Sequence, residues 1–358
     1  MGFFHCPTKL YTGEDALQVL RTFSPGRVLV VTDSFFSKSG KALEIASLVP
    51  GAQIKIFDKV TPDPPAALAA EGAALCRQFR PDLLIALGGG SPMDCGKAIR
   101  LAYAEPVQFV AIPTTSGSGS EMTSFSILTH NGVKHPLVDS ALRPDAAILD
   151  ANLLQQLPSA LIADTGMDLL AHCMEALVAS NRTGFSDAMA LYGARTVLLK
   201  LERSFRGDLT VRGSIHEAAS MAGMAFDNAG LGVCHALAHA IGGAFHIPHG
   251  RLCALLLPEV ILFNQSAGRA QYVLLARLCE ITGATDRLTL RNLVMQIRRL
   301  QRSLLLPQTL LQAGITKEQW EEKKDAIVHA ALLDSCIKTN PVPVTAEGLK
   351  ELLKAVEP

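Results

Sequence analysis

The hydrophobic positions of the first 150 residues fall into short apolar runs separated by alanine-rich stretches. Such runs predict strands, and the stretches between them have the length and composition of helices. Strands that alternate with helices are typical of βαβ units, in which the crossover helices make neighbouring strands parallel. The predicted strands are Val28–Thr32, Gln53–Phe57, Leu83–Leu87, Gln108–Ile112 and Ala146–Leu149, with helices near residues 39–48, 65–79 and 92–103.

The pattern changes after Leu157-Pro158-Ser159, where long segments rich in Ala, Leu and Met replace the strand-like runs. Gly, Pro and Asn interrupt these segments, and the tail over residues 342–358 has the pattern of one amphipathic helix. This texture predicts a helical bundle. We therefore expect an α/β domain with a parallel sheet over residues 1–155 and an all-α domain over residues 156–358.

Composition and charge exclude several classes of function. Hydrophobic residues make up 49% of the chain and charged residues 18%, which is typical of a globular protein. Lys plus Arg equals Asp plus Glu at 33 each, so no long-range field would gather nucleic acid or an anionic membrane. The chain has no apolar stretch of membrane-spanning length, and its eight cysteines form no C-x-x-C pair. The first residues lack a basic segment followed by an apolar one, so we expect an unsecreted protein. We expect a cytoplasmic protein with reduced thiols and no membrane partner.

A glycine run, Gly88-Gly89-Gly90-Ser91-Pro92, joins the predicted strand Leu83–Leu87 to the helix that follows. Glycines allow backbone N–H groups to approach a ligand closely, and the start of a helix attracts phosphate. Ser91 is predicted to be the N-cap and Pro92 the first helical residue. Because the run lacks the G-x-G-x-x-G spacing, an ordinary strand-to-helix turn remains an alternative.

Two further features follow predicted strands, at the edge where ligands bind in open α/β sheets. The segment Pro113–Glu121 is rich in hydroxyls and glycines, and Asp33 ends the first strong strand. The Asp33 carboxylate would accept hydrogen bonds from a ribose and repel a 2′-phosphate, or it would only cap the next helix. Lys97, in the helix after the glycine run, would either neutralise phosphate or be only a solvated or capping side chain.

The predicted helical domain contains a group of histidines at helical spacing. Asp168 and His172 are four residues apart, His235 and His239 repeat that spacing, and His249 follows. One carboxylate and three imidazoles suit Fe²⁺ or Zn²⁺ better than Mg²⁺ or Ca²⁺. A single helical histidine is more often a satisfied core residue, but several imidazoles among apolar neighbours would need polar or metal partners.

These motifs together resemble the iron-dependent (group III) alcohol dehydrogenases, and the resemblance covers nearly the whole chain. The matching motifs are Gly88–Asp94 with Lys97, Pro113–Glu121, Asp168-x-x-x-His172, and Gly230–His235 with His239, His249 and Gly250. The short alcohol dehydrogenases of the propanol and ethanolamine pathways in bacterial microcompartments are similar in three further segments, Pro144–Asp150, Ala222–Phe226 and Thr339–Pro341.

The resemblance implies an NAD-binding domain and a helical metal-binding domain of the dehydroquinate synthase-like architecture, with the metal in the cleft between them. It assigns the metal, Fe²⁺ or alternatively Zn²⁺, to Asp168, His172, His235 and His249, and makes His239 a candidate proton relay. It also makes Asp33 the residue that selects NAD(H). The implied NAD(H) contacts are Asp33, Gly89, Gly90, Ser91, Pro92, Met93, Asp94, Thr114, Thr115, Ser118 and Lys134.

The implied activity is reversible hydride transfer between NAD(H) and a small primary alcohol or aldehyde, such as propanol and propionaldehyde or ethanol and acetaldehyde. The expected direction is aldehyde reduction, which regenerates NAD⁺. The resemblance also implies a homodimer or larger homo-oligomer, with shell or enzyme partners if the protein is inside a microcompartment. The alternatives are a metal-dependent polyol dehydrogenase of the same superfamily and a non-catalytic nucleotide-binding protein.

Overall fold

The computed structural model describes residues 2–130 and 133–358, and it divides them into two compact units. One unit is Cys6–Gln156, and the other is Leu157–Pro358 together with the N-terminal residues through His5. The first is an α/β unit and the second is helical, so the predicted fold class is confirmed. No helix in the described part of the chain is long and apolar enough to cross a membrane.

The α/β unit is built on a six-stranded sheet in which every pairing is parallel. All five predicted strands are present, and β1 is an additional edge strand that hydrophobic patterning missed because its residues are mostly exposed. The strand order is β1-β8-β5-β4-β2-β3. The strands are β1 (Lys9–Gly13), β2 (Arg27–Asp33), β3 (Gln53–Val60), β4 (Leu83–Gly88), β5 (Gln108–Pro113) and β8 (Ala146–Asp150).

Both faces of this sheet are covered, which explains why its central strands are continuous apolar runs. In β2, Leu29 and Val31 face one apolar core, whereas Val28 and Val30 face the other. Helices α3 and α4 contribute to the first core and α2 to the second. The helices of this unit are α1 (Ser34–Lys38), α2 (Lys41–Ala46), α3 (Ala66–Phe79) and α4 (Gly90–Tyr103).

A separate antiparallel hairpin lies between β5 and β8 in the chain. Its strands are β6 (Phe125–His130) and β7 (Val133–Val138), and neither was predicted because polar and apolar residues are mixed along them. The backbone of Lys134 pairs with Thr129. The side chain of Lys134, one of the implied NAD(H) contacts, lies outside what the structure describes.

The helical unit is organised around α5, which is almost entirely buried from Ile162 onward and packs against α6, α7 and α9. Its last helix begins at Ala346 because Thr345 caps it, so the predicted tail helix is shorter than residues 342–358. The helices are α5 (Ser159–Ala176), α6 (Gly184–Phe205), α7 (Arg212–Ala229), α8 (Val233–Phe245), α9 (His249–Phe263), α10 (Gln265–Leu278), α11 (Asp286–Ser303), α12 (Lys317–Leu333) and α13 (Ala346–Leu353).

Helix α9 contains a proline, Pro258, in its interior. Proline has no N–H, so the carbonyl of Ala254, four residues earlier, lacks its usual helical donor. The side-chain amide of Gln301, on α11, donates to this carbonyl instead. Both residues are buried, so α11 completes the hydrogen bonding of α9.

Candidate active site

The candidate metal donors come from three helices of the helical unit. Asp168 and His172 lie one turn apart on α5, His235 is in the first turn of α8, and His249 is the first residue of α9. Asp168 Oδ1 is 3.7 Å from His235 Nε2 and 3.5 Å from His249 Nε2. The His172 ring stacks on the His235 ring with centroids 4.4 Å apart. The structure therefore brings together donor atoms of Asp168, His235 and His249, with Cys253 beside them, and places the His172 ring against His235.

The chemistry of these donors fits a divalent transition metal. Asp168 Oδ1 and His235 Nε2 are buried and have no hydrogen-bond partner among the described residues. A buried polar atom without a partner is costly, and a cation between these atoms would satisfy both. Burial opposes ionisation of Asp168, but the neighbouring histidines outweigh it and hold the pKa of its carboxyl below the usual range. A carboxylate with imidazoles is a donor set that suits Fe²⁺ or Zn²⁺.

Glu175 is a buried residue of the site that the sequence interpretation missed. Its Oε2 is 2.5 Å from His235 Nδ1, and its Oε1 accepts a 2.6 Å hydrogen bond from the Cys234 backbone N–H. Burial alone would lower the pKa of His235, but the carboxylates of Asp168 and Glu175 raise it to about 10. A carboxylate on Nδ1 orients the ring so that Nε2 faces the metal site. The helical spacing of Asp168, His172 and Glu175 was an available signal, because it places all three on one helix face.

The loop before α8 is shaped to receive Glu175. A Cβ added to Gly232 would lie 2.8 Å from Glu175 Oε1 and 2.6 Å from Asn340 Oδ1. Asn340 Oδ1 accepts a hydrogen bond from the Val233 N–H, so two side chains hold the first N–H groups of α8. Because Gly232 has no side chain, Glu175 and Asn340 can reach the first N–H groups of α8, and this contact positions His235.

His239 lies one turn after His235 on α8 and pairs with Asp334, which the sequence interpretation also missed. His239 Nδ1 is 2.8 Å from Asp334 Oδ2. Burial would raise the pKa of Asp334, but the hydrogen bond from His239 holds it below the usual range. The carboxylate favours the tautomer protonated at Nδ1, which leaves Nε2 to exchange a proton. This geometry is compatible with the relay role that the resemblance gives to His239.

Two cysteines lie beside these histidines. Cys253 Sγ is 3.5 Å from His249 Nε2, and burial raises the pKa of this thiol well above its usual range. Cys336 lies with His239 and Asp334, with one donor atom from each residue within 4.8 Å of the others. The sequence interpretation treated both cysteines only as reduced thiols.

In the α/β unit, the glycine run differs in one respect from the prediction. Helix α4 begins at Gly90 and its N-cap is Gly89, so the prediction that Ser91 is the N-cap and Pro92 the first helical residue was wrong. Gly88 has φ +144°, and a Cβ there would lie 2.5 Å from Pro92 Cγ. Because Gly88 adopts this backbone conformation, the chain turns directly at the end of β4 and the helix begins before Ser91.

The two predicted loops lie together because they follow the adjacent strands β4 and β5. The Thr114 N–H donates a 2.9 Å hydrogen bond to the Gly88 carbonyl. A Cβ on Gly89 would lie 3.3 Å from Thr115 Oγ1, and one on Gly90 would lie 3.6 Å from Ser118 Oγ. The absence of side chains on Gly89 and Gly90 therefore leaves backbone and hydroxyl groups around the first turn of α4, as a phosphate-binding turn requires.

Three residues of α4, Met93, Asp94 and Lys97, make contacts inside the α/β unit. The Met93 side chain lies in the apolar core, and Asp94 accepts hydrogen bonds from Ser120 Oγ and the Ile127 N–H. Lys97 is fully buried, and its ammonium donates to Ser120 Oγ, Thr123 Oγ1 and the Phe125 carbonyl. The alternative that Lys97 is solvated was therefore wrong. Its described bonds hold the second loop against α4.

Asp33 lies at the carboxyl end of β2 and caps α1. Its Oδ1 accepts hydrogen bonds of 2.9 and 3.1 Å from the N–H groups of Phe35 and Phe36. The capping alternative is therefore present in the structure. Both bonds use Oδ1, so capping does not occupy Oδ2.

Both units match known protein families. A model of iron-containing alcohol dehydrogenases matches residues 7–151, and the C-terminal model of the Fe-containing alcohol dehydrogenase family matches residues 162–356. The 1-propanol dehydrogenase PduQ of Citrobacter freundii is 39% identical, with 99% of each chain covered. The NADPH-dependent butanol dehydrogenase of Clostridium saccharobutylicum is 34% identical, with 99% of this chain and 97% of the relative covered. The solved iron-containing alcohol dehydrogenase of Thermococcus thioreducens superposes with a TM-score of 0.92 at 32% identity over 99% of both chains.

A parallel α/β unit with ligand-type loops, together with a helical unit in which a carboxylate lies among imidazoles, fits a metal-dependent dehydrogenase. The chain belongs to the iron-containing alcohol dehydrogenase family. The resemblance stated from the motifs is thereby confirmed, and the protein is a metal-dependent alcohol dehydrogenase. The family implies iron and a nicotinamide cofactor.

Proposed function

We propose that this enzyme transfers hydride between NAD(H) and small primary alcohols and aldehydes, with a divalent metal held by Asp168, His172, His235 and His249. The observation that carries the proposal is the convergence of these side chains, including two buried donor atoms without a partner among the described residues. Zn²⁺ would suit the same donors as Fe²⁺.

The relatives support a short, unbranched substrate. PduQ is named for 1-propanol, and the Clostridium relative for butanol, and both match this chain over nearly their full lengths. We expect ethanol, propanol and butanol and their aldehydes to be substrates, with propionaldehyde preferred. We also propose a place inside a bacterial microcompartment, where aldehyde reduction would regenerate NAD⁺, and association into a homodimer or larger oligomer.

The side chains of the helical unit have separate tasks in this reaction. A bound Fe²⁺ or Zn²⁺ would supply Lewis acidity toward the oxygen of the substrate. Asp168 offsets part of the cation's charge, and Glu175 holds His235 in position through Nδ1. His239 moves the proton of the alcohol, with Asp334 stabilising the charged imidazole.

The α/β unit supports NAD(H) binding through its two loops. The first turn of α4 and the hydroxyls of Thr115 and Ser118 would receive the phosphates, while the nicotinamide supplies the hydride chemistry. Asp33 would accept from the ribose through Oδ2 and disfavour NADP(H) by charge repulsion. The Clostridium relative is NADPH-dependent, so the cofactor preference of this chain depends on its own residues.

The test combines metal analysis with an NADH assay across C2–C4 aldehydes, using anaerobically purified protein. His235→Ala and His249→Ala should lose both the bound metal and turnover, since each removes a donor. His329→Ala, on the exposed surface of α12, is the control and should keep both. Full turnover by a metal-free variant, or a preference for glycerol over all C2–C4 substrates, would contradict the proposal.

A further inference from the structure

A second group of metal-ligand side chains lies in the helical unit, outside the four donors described above. His239, Asp334 and Cys336 offer one nitrogen, one oxygen and one sulfur, all within 4.8 Å of one another. Each of the three residues is half-buried, so the group is neither sealed in the core nor spread on the surface. A hydrogen-bonded pair of histidine and aspartate offers only nitrogen and oxygen ligands. The Cys336 thiol adds a soft sulfur ligand to this pair.

The local fold holds this group in place. Helix α12 ends at Leu333, and Asp334 caps the short 3-10 helix Ser335–Thr339 by accepting a 2.8 Å bond from the Cys336 N–H. That bond uses Asp334 Oδ1, whereas Oδ2 lies 2.8 Å from His239 Nδ1. The carboxylate therefore fixes the turn that carries the thiol and the orientation of the imidazole together.

We propose that His239, Asp334 and Cys336 form a second cation site, selective for a thiophilic divalent ion such as Zn²⁺. Imidazole, carboxylate and thiolate are the ligands that zinc takes, and three protein ligands leave a fourth position for water. Mg²⁺ and Ca²⁺ prefer oxygen ligands only, so they would not compete.

Binding changes the protonation of the group. In the absence of the ion, burial and the Asp334 charge raise the pKa of the Cys336 thiol well above its usual range. Coordination therefore expels the thiol proton to solvent. The proton on His239 Nδ1 moves to Nε2 by exchange with solvent, so that Nδ1 and the Asp334 carboxylate bond to the ion instead of to each other. The imidazole is then no longer available for proton transfer.

The second site would act as a zinc-sensitive brake on the enzyme. The His239 ring stacks on the His249 ring with centroids 5.0 Å apart, so the second ion would lie beside the first donor set. Inhibition rests on the relay role that the proposed function gives to His239, whereas binding of the ion does not.

The binding test uses enzyme already loaded with Fe²⁺ and titrated anaerobically with Co²⁺, whose thiolate complexes absorb in the near ultraviolet. Wild type should take up one further equivalent of Co²⁺ and develop this absorption. Cys336→Ser should lose the absorption and bind the further ion at least about tenfold more weakly, because the softest ligand is gone. Cys6→Ser, which changes the other half-buried cysteine, should behave like wild type. Cys336→Ala replaces the serine variant if that variant is not recovered.

Two results would overturn the proposal. One is that wild type takes up no further ion at about 100 µM Co²⁺. The affinity would then be too weak for the site to fill at trace-metal concentrations. The other is that the absorption persists in Cys336→Ser, which would assign it to a different thiol such as Cys253. Zn²⁺ inhibition of turnover is measured in parallel, and the Zn²⁺ concentration for half inhibition should rise at least about tenfold in Cys336→Ser. If the ion binds without inhibiting, the site stands and the relay role of His239 is wrong.

Discussion

Glu175 and Asp33 each accept hydrogen bonds from backbone N–H groups in the first turn of a helix. Glu175 accepts from Cys234 at the start of α8, and Asp33 accepts from Phe35 and Phe36 in α1. Both also have an oxygen that this capping does not use. Removing either side chain would therefore alter the backbone and the proposed chemistry together, so variants that keep the cap are the informative ones.

The role of Asp33 is tested by comparing Asp33→Asn with Asp33→Ala. Asparagine retains a capping oxygen but not the charge, so we expect the NADP-to-NAD ratio of kcat/KM to rise while Tm stays the same. Alanine should change the ratio similarly and also lose about 1 kcal/mol of unfolding free energy, because the cap is lost. Steady-state kinetics with both cofactors and denaturant unfolding make the comparison. An unchanged NADP-to-NAD ratio of kcat/KM in both variants would show that Asp33 only caps α1.

For Glu175 the informative substitution is Glu175→Gln. The amide keeps the size of the side chain but loses the charge that orients His235, so metal affinity should fall by about 10–100-fold. Competition with a chelator, read by metal analysis, measures the affinity directly and needs no turnover. Glu202→Gln, at an exposed ion pair on α6, is the control. Equal affinities in the two variants would show that Glu175 only caps α8.

At the scale of elements, the approach of α9 to α5 determines where the metal donors meet. A Cβ on Gly250 would lie 2.1 Å from the Asp164 carbonyl oxygen, which is backbone and has little freedom to move. The first turn of α9 therefore rests directly on α5. Because α5 carries Asp168 and α9 carries His249, this contact sets the 3.5 Å distance between their donor atoms.

Gly250→Ala tests this contact, with Gly243→Ala as a matched control. Gly243 lies inside α8 with no heavy atom within 4 Å of an added Cβ. We expect Gly250→Ala to lower the unfolding free energy by about 1–3 kcal/mol and to weaken metal binding, because the helices must separate. Gly243→Ala should raise the unfolding free energy by about 0.5–1 kcal/mol, as alanine is the better helix former. Chemical denaturation and metal analysis give both quantities, and similar effects of the two variants would contradict the explanation.

The elements that the sequence predicted correctly are those with a strong local signal. The central strands are apolar on both faces, so β2, β4 and β5 appear as unbroken runs. The edge strand β1 and the hairpin of β6 and β7 lack that pattern. Spacing within one helix indicated Asp168 with His172, but Glu175 meets His235 across 60 residues and Asp334 meets His239 across 95. Such pairs depend on tertiary packing, which local periodicity does not encode.

On the scale of the whole molecule, the chain has zero net charge, and its informative charges are buried in the two units separately. Lys97 is buried in the α/β unit, while Asp168 and Glu175 are buried in the helical unit. Charges placed this way stabilise particular atoms rather than create a long-range field. The α/β unit has its own cores on the two faces of its sheet, so the metal should stabilise chiefly the helical unit.

Hydrogen exchange after metal removal tests this division. A metal bound only to the folded helical unit stabilises it by mass action, so chelation should speed exchange in α5, α8 and α9 by at least about tenfold. Peptides from β4 and α4 should change much less, because no candidate donor lies on them. Returning Fe²⁺ should restore the slow exchange. Equal acceleration in both units would show that the stability of the α/β unit also depends on the metal.

In α9 the side-chain amide of Gln301 takes the place of the N–H that Pro258 lacks. This replacement has a consequence for synthesis of the chain. When the ribosome has released Pro258, the carbonyl of Ala254 still lacks its donor, because Gln301 is more than forty residues away. The helix that begins with His249 is therefore completed only after α11 has emerged. We expect the metal donors to assemble late in translation, and nascent chains that stop before Gln301 to retain little metal.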